Sequence, residues 1–214
     1  MQLKKERVAM ASVRLKIRLI WVYCADPEDL IGGDEFFVSG GLILGGEGGV
    51  IPPPKQRRVG VALTPVINIG AGQSAYFNDS LGGVTVFDGV VDDSQTVTLS
   101  ITAFDADTAS DWDAVYRPLL EGIWGALSLG SLGPPPFNGI IKGIAFGVAR
   151  RILQVIDPDD ELGVLAYEQV RVRDLPTGGL DWEFSGNESS FSKWDYLVHY
   201  EISRTPAPEE PPCP

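Results

Sequence analysis

The sequence predicts a mainly β protein, an antiparallel β-sandwich of about eight strands with a two-helix insertion. Several short segments alternate between apolar and polar residues, which is the period of a half-buried strand, and turn residues separate them. Over residues 114–156 the apolar residues instead follow helical spacing. A chain of 214 residues fits one large domain or two small ones. We therefore predict a single domain over 1–204, with the insertion at 114–156 and a disordered Pro/Glu tail over 205–214.

The first predicted strand, 13–23, shows the alternation most clearly. Every second residue from Val13 to Tyr23 is apolar, so these side chains, Trp21 included, are expected on the core face. Basic residues fill the other face at the start of the strand. An apolar strand is also expected to begin near Phe36, followed by a long irregular connection over 39–54 because of its glycines and prolines. The remaining predicted strands are 59–66, 84–87, 96–104, 167–173 and 194–202, with a loop over 68–83. Residues 174–193 are rich in turn residues, with room for one short strand near Trp182.

The predicted insertion consists of two helical segments, 114–130 and 137–156, separated by the prolines at 134–136. The second segment carries an apolar stripe, but charged residues interrupt it, which disfavours a transmembrane hairpin. We expect an amphipathic helical pair packed on the sandwich, and no transmembrane segment.

Composition and motifs narrow the function classes. A net charge of −12 argues against nucleic acid as a partner, because phosphate binding needs a basic surface. His199 is the only histidine and falls within a predicted strand, where a structural or surface role is expected. The sequence has no nucleophile elbow, no His-Glu-x-x-His motif and no zinc-ligand spacing. We expect a protein that is not an enzyme.

Carboxylates are concentrated in three windows that adjoin predicted strands and contain no Lys or Arg. Like charges held together repel one another, and a hard cation such as Ca²⁺, which takes about 6–8 oxygen ligands, would turn that repulsion into attraction. The other interpretation, which stays open, is a set of solvated acidic loops. The windows are Asp26, Glu28, Asp29, Asp34 and Glu35; Asp105, Asp107, Asp111 and Asp113; and Asp157, Asp159, Asp160 and Glu161.

An EF-hand beginning at Asp105 is excluded, because Ser110 takes the glycine position and Tyr116 the closing glutamate position. Two of the windows do resemble loops of a known family. Its first loop is similar to Asp29-Leu-Ile-Gly-Gly-Asp34-Glu-Phe-Phe-Val, and its third loop is similar to Phe104-Asp105-Ala-Asp107. The family is the calcium-dependent lipid-binding β-sandwich, or C-two domain.

The resemblance covers roughly 13–113 and 157–202, and it implies a bacterial-like variant with a helical insertion in the third loop. Asp159-Asp160-Glu-Leu-Gly163 is similar to the family's loop exit. The chain departs from the family in the insertion, in the glycine-rich segment 39–54, and in Glu35, where the family has proline.

Together the windows and the resemblance imply Ca²⁺ as cofactor, held between the first and third loops. Asp105 and Asp107 are expected to point the same way and to face Asp34, and Asp113 competes with Asp159 or Asp160 to complete the shell. The full set of predicted ligands is Glu28, Asp29, Asp34, Asp105, Asp107, Asp113, Asp157, Asp159 and Asp160.

Two functions remain in view from the sequence. The first is a calcium-binding module that docks through its acidic loops onto a phospholipid membrane surface or a protein partner. The second is a calcium-independent structural, assembly or effector component. The N-terminus lacks the apolar stretch of a signal peptide, so we expect a cytoplasmic protein or one exported without a cleaved signal.

Overall fold

The structure, a computed structural model, describes residues 12–28, 33–45, 59–78, 82–105, 161–187 and 193–207. These residues form ten strands and one 3-10 turn, at Val172–Asp174. The strands are β1 Ser12–Asp26, β2 Asp34–Gly45, β3 Val59–Leu63, β4 Ile67–Ile69, β5 Gln73–Tyr76, β6 Val84–Asp92, β7 Thr96–Asp105, β8 Glu161–Arg171, β9 Gly178–Asn187 and β10 Lys193–Pro206.

The strands pair into two five-stranded sheets. In the first sheet β5 and β6 lie end to end along one side of β1, followed by β10 and β9. In the second sheet β3 and β4 lie along one side of β2, followed by β7 and β8. Every pairing is antiparallel. The prediction of a mainly β, antiparallel two-sheet fold is confirmed, with ten strands rather than about eight, and the predicted helical pair at 114–156 lies outside the described residues.

The core lies between the sheets and follows the predicted period of two on β10, whereas β7 also buries Thr96, Thr102 and Phe104 of its other face. Along β7, the side chains of Val97, Leu99, Ile101 and Ala103 are buried, as predicted. Along β10, every second side chain from Trp194 to Ile202 is buried. Burying each such apolar side chain stabilises the fold by about 1.5–3 kcal/mol, so these two central strands contribute much of its stability.

β1 departs from the predicted alternation at its midpoint. The register against β10 shifts between Leu19 and Trp21, which is a β-bulge. One extra residue reverses the direction of all later side chains. Val22 and Cys24 are therefore buried, whereas Trp21 and Tyr23 lie on the outward face, so the expectation that they join the core is wrong.

The glycine-rich start of the expected irregular connection is instead the second half of β2. Residues 39–43 pair with β3 and residues 36–45 with β7. A Cβ atom at Gly40 would lie 2.2 Å from the carbonyl oxygen of Ser100, so the glycine serves a close approach between strands. The predicted loop over 68–83 likewise contains strand β5.

Several strand ends also differ from prediction. β8 begins at Glu161 rather than at residue 167, and β9 spans ten residues where only a short strand near Trp182 was expected. β10 continues to Pro206, which pairs with Val13, so residues 205 and 206 belong to the strand and not to the predicted tail. Residues 208–214 lie outside the described part of the chain.

The two sheets are joined at one edge by an indole. Trp194 of β10 donates a hydrogen bond from Nε1 to the carbonyl oxygen of Leu162 on β8, at 2.8 Å. Gly186, opposite Trp194 in the sheet, leaves room for the ring, because a Cβ there would lie 2.0 Å from it. This edge is therefore closed by an aromatic ring lying over a glycine.

Candidate site at the Asp34 end of the sandwich

The second sheet brings two of the predicted ligands to the same end of the sandwich. β2 begins at Asp34 and the antiparallel β7 ends at Asp105. Phe36 and Asp105 are register partners, so the two aspartates are offset by only two residues along adjacent strands. Both carboxylates are buried, with 0% of Asp34 and 5% of Asp105 exposed.

Asp34 is held by donors from two parts of the chain. The backbone N–H of Glu28 donates to Oδ2 of Asp34 at 2.8 Å. The hydroxyl of Tyr196, on β10 of the other sheet, donates to the same oxygen. Hydrogen bonds to an ionised acceptor are stronger than neutral ones. The carboxylate thus connects the segment after β1, the start of β2 and the middle of β10.

Tyr196 is fixed in place by an aromatic cluster. Its ring stacks on Phe36 of β2, with centroids 5.0 Å apart, and on Phe184 of β9 at 5.8 Å. Burial raises the pKa of Tyr196 far above its ordinary value, and the hydrogen bond to Asp34 raises it further. The phenol therefore stays protonated and acts as a fixed hydrogen-bond donor.

Cys24 is the buried thiol beside this cluster. Burial raises its pKa to about 11, and although its hydrogen bond with Tyr196 works the other way, Asp34, Asp26 and Asp195 add to the increase. A thiol with such a pKa is almost fully protonated at neutral pH, and only the thiolate is nucleophilic. Cys24 is therefore a buried packing residue whose thiol stays protonated at neutral pH.

The predicted ligand set is only partly contained in the described residues. Asp34 and Asp105 meet at one sheet end, and Glu28 lies half-buried next to them, contributing its backbone N–H. Among the described residues, no group of three or more His, Cys, Asp or Glu side chains is arranged to hold a metal. The other predicted ligands lie outside the described residues: Asp29, Asp107, Asp113, Asp157, Asp159 and Asp160.

Sequence reasoning missed the roles of Tyr196 and Cys24 at this site. Tyr196 alternates with Trp194 and Val198 along the predicted strand 194–202, and all three are buried, but a buried tyrosine hydroxyl also needs a partner. That requirement predicts a polar contact but does not identify the partner residue, because Asp34 and Tyr196 lie 162 residues apart in the sequence.

His199, the only histidine, lies on the outward face of the first sheet. Its ring stacks on Trp21 with centroids 5.0 Å apart, and its Nδ1 lies 2.7 Å from a carboxylate oxygen of Asp181. No nucleophile lies among these contacts. The arrangement agrees with the expected structural or surface role.

Comparisons with known proteins add little to this geometry. No protein-family model matches the chain, and no curated protein matches it at a significant level. Across the described residues, no helix reaches the length and hydropathy of a membrane span. Among solved structures, the chain is similar to the C-two A domain of a plant extended synaptotagmin, with 14% identity over 94% of this chain and 98% of that one. The TM-score of 0.33 is too low to establish a common fold, so membership of the C-two family stays a prediction.

Proposed function

We propose that this protein is a binding module that takes up Ca²⁺ at the Asp34 end of the sandwich and docks there onto a membrane surface or a protein partner. The observation that supports it is the burial of two carboxylates, Asp34 and Asp105, offset by two residues on adjacent strands. Negative charge on buried carboxylates of adjacent strands is unfavourable, and a divalent cation would offset that free energy directly.

The chemistry requires ligands beyond those two. A shell of about 6–8 oxygens would draw on Asp34 and Asp105 together with carboxylates of the flanking acidic windows. Because Asp105 is the last residue of β7, the chain leaves this strand directly into the window that contains Asp107. Ca²⁺ would neutralise the site and hold these segments together, which is the state that we propose docks.

The experiment is titration of the full chain with CaCl₂ by calorimetry, together with melting curves. Ligand that binds only the folded state stabilises it by about 2.7 kcal/mol at a hundredfold excess over Kd. Mg²⁺ should raise the melting temperature less, because it demands tighter octahedral geometry. The double variant Asp105→Asn with Asp107→Asn should abolish the increase.

Asp93→Asn is the matched control, since Asp93 lies at the turn before β7, at the opposite end of that strand. It should retain the full Ca²⁺ response. Docking is then measured by sedimentation with phosphatidylserine vesicles in Ca²⁺ and in EGTA. If wild type shows no heat and no melting shift up to millimolar Ca²⁺, the calcium proposal fails.

A calcium-independent structural or assembly module is the second candidate, and the hydrogen bonds of Asp34 favour it. Oδ2 already accepts from Glu28 and Tyr196, so this carboxylate contributes to the fold without a metal. On that interpretation the melting temperature is the same in Ca²⁺ and in EGTA, while substitutions at Asp34 or Tyr196 still destabilise the protein.

A further inference from the structure

The outward face of the first sheet carries a cluster of rings distant from the core. In the strand register, Trp21 of β1 lies opposite Tyr76 of β5 on one side and His199 of β10 on the other. Tyr23 follows on the same face of β1. Tyr76 is 58% exposed and Tyr23 36%, and they belong to the few large exposed hydrophobic side chains of the described residues. These four residues are called the outer aromatic patch.

Carboxylates border this patch. Asp181 of β9 lies opposite His199, and Glu183 lies opposite Leu197 on the neighbouring row. Asp26 and Asp195 are register partners at the next position towards the sheet end. All four acids are exposed.

Basic side chains are sparse in the same area of the described surface. Arg18, one row away on β1, is paired with Glu201 at 2.5 Å, and Lys193 lies at the near end of β10, on the same face two residues beyond Asp195. Exposed rings beside a group of carboxylates therefore form a surface of negative potential on a chain whose net charge is −12.

We propose that the outer aromatic patch binds a cationic segment of a protein partner, one that presents arginine or lysine side chains. A guanidinium or ammonium group is attracted by the faces of Trp and Tyr rings and by carboxylates at the same time. Trp, Tyr and Arg are also the residues enriched at the energetic centres of protein interfaces. Nucleic acids and anionic lipid surfaces are disfavoured, because the bordering carboxylates repel phosphate.

The size of the patch sets the scale of the interaction. Four strands at a spacing of about 4.8 Å span about 14 Å, which matches four or five residues of an extended peptide. Such an interface is far below the area of a stable complex, so the patch alone should bind weakly and reversibly. A Kd of about 0.1–1 mM is expected for a single short segment.

The test uses the full chain in EGTA, so that its outcome is independent of the calcium proposal. The probe is a fluorescent pentapeptide of alternating arginine and glycine, followed by anisotropy, and its matched control replaces arginine with citrulline, a neutral side chain of the same shape. The arginine peptide should bind saturably, and binding should fall severalfold in 0.5 M NaCl, because salt screens exposed charges. The citrulline peptide should bind at least about fivefold more weakly.

Variants on the same sheet locate the site. Tyr76→Ala should weaken binding about three- to fivefold, whereas Tyr76→Phe, which keeps the ring, should stay close to wild type. Val90→Ala is the control, because Val90 is 40% exposed on the same face but lies opposite Arg14, about 23 Å along β1 from Trp21. Circular dichroism should show all three variants folded.

Three outcomes overturn the inference. The first is the absence of saturable binding up to about 5 mM peptide, well above the expected Kd. The second is equal affinity for the citrulline peptide, which would point to neutral stacking such as sugar binding. In the third, Tyr76→Ala has no more effect than Val90→Ala, which would place the peptide elsewhere.

Discussion

Replacing Tyr196 with phenylalanine tests whether the buried contact to Asp34 holds the two sheets together. The change removes one hydroxyl and leaves the stacking on Phe36 and Phe184 in place. Asp34, which is 0% exposed, then keeps the Glu28 N–H as a donor to Oδ2 but loses the phenol. The substitution therefore removes the hydrogen bonds that the Tyr196 hydroxyl makes with Asp34 and with Cys24, with little change in volume.

The expected magnitude follows from the environment of the bond to Asp34. A hydrogen bond to a charged group contributes about 1.5–3 kcal/mol, and burial of the acceptor puts the loss near 2 kcal/mol. For a chain of this size, that corresponds to a fall in melting temperature of about 4–8 °C. Urea unfolding at pH 7 in EGTA measures it, with equal m values as the sign that only stability has changed.

Tyr200→Phe is the matched control, on the same face of the same strand. The Tyr200 hydroxyl lies 2.8 Å from the Tyr167 hydroxyl, a partly buried contact between neutral groups. Its loss should lower the free energy of unfolding by about 0.5–1.5 kcal/mol. A cycle that adds Asp34→Asn should give a coupling energy above about 0.5 kcal/mol for Tyr196. If Tyr196→Phe destabilises no more than Tyr200→Phe, the contact does not hold the sheets together.

Two further predictions concern the buried Cys24 thiol and Tyr196 phenol, and the sheet edge where Trp194 packs over Gly186. Folding raises the pKa of Cys24 from 9.0 to about 11 and raises the pKa of Tyr196 as well. As the pH rises, the unfolded chain therefore loses these two protons before the folded chain does. The free energy of unfolding is thus fully present below pH 9 and falls as the pH rises towards 11. Melting temperatures recorded from pH 8 to 11 should fall less in Tyr196→Phe than in wild type, and equal losses would contradict the reasoning. Gly186→Ala should destabilise by about 1–3 kcal/mol, because its Cβ would lie 2.0 Å from the Trp194 ring. Gly70→Ala, whose Cβ would have its nearest neighbour at 3.7 Å, should change stability by less than about 0.5 kcal/mol in the same urea titration.

Alternation predicted the central strands best. Burial follows the period of two along β10, because the bulge in that pairing lies on β1. β7 stays in register with β2, and its predicted core residues are buried, although Thr96, Thr102 and Phe104 of its other face are buried as well. β1 begins with the same alternation, but a bulge follows Leu19. The bulge depends on the pairing of β1 with β10, and that pairing cannot be inferred from the local sequence. Trp21 was therefore assigned to the wrong face by a rule that was correct eight residues earlier, at Val13.

Glycine composition was misleading for a related reason. Gly40 and Gly41, together with the other glycines and the prolines of 39–54, predict an irregular connection, since glycine weakens a strand. In the second sheet they lie in β2 between β3 and β7, where neighbouring backbone leaves no room for a Cβ at Gly40. Whether a glycine ends a strand or permits one to pack depends on what lies beside it, which is tertiary information.

The acidic windows could be found from the sequence, but charge alone does not show which role a particular carboxylate has. Asp34 was selected because it lies in a group of acids, and the structure shows that its Oδ2 already accepts two hydrogen bonds. A Ca²⁺ ion that takes Asp34 as a ligand must compete with those donors or share the carboxylate with them. The contact with Tyr196 and the proposed Ca²⁺ affinity are therefore thermodynamically coupled, and the coupling is reciprocal.

This coupling separates the two candidate functions by its sign. If Ca²⁺ displaces the Tyr196 hydroxyl from Asp34, the Tyr196→Phe variant has less to displace, so it should bind Ca²⁺ more tightly than wild type although it is less stable in EGTA. If Ca²⁺ binding instead requires the Asp34 carboxylate in the position that its hydrogen bond with Tyr196 fixes, the Tyr196→Phe variant should lose both stability and Ca²⁺ affinity. If Asp34 has only a structural role, stability falls and no Ca²⁺ response exists in either protein. One variant, titrated with CaCl₂ and unfolded in EGTA, therefore distinguishes a carboxylate that stabilises the fold from one that also serves a metal.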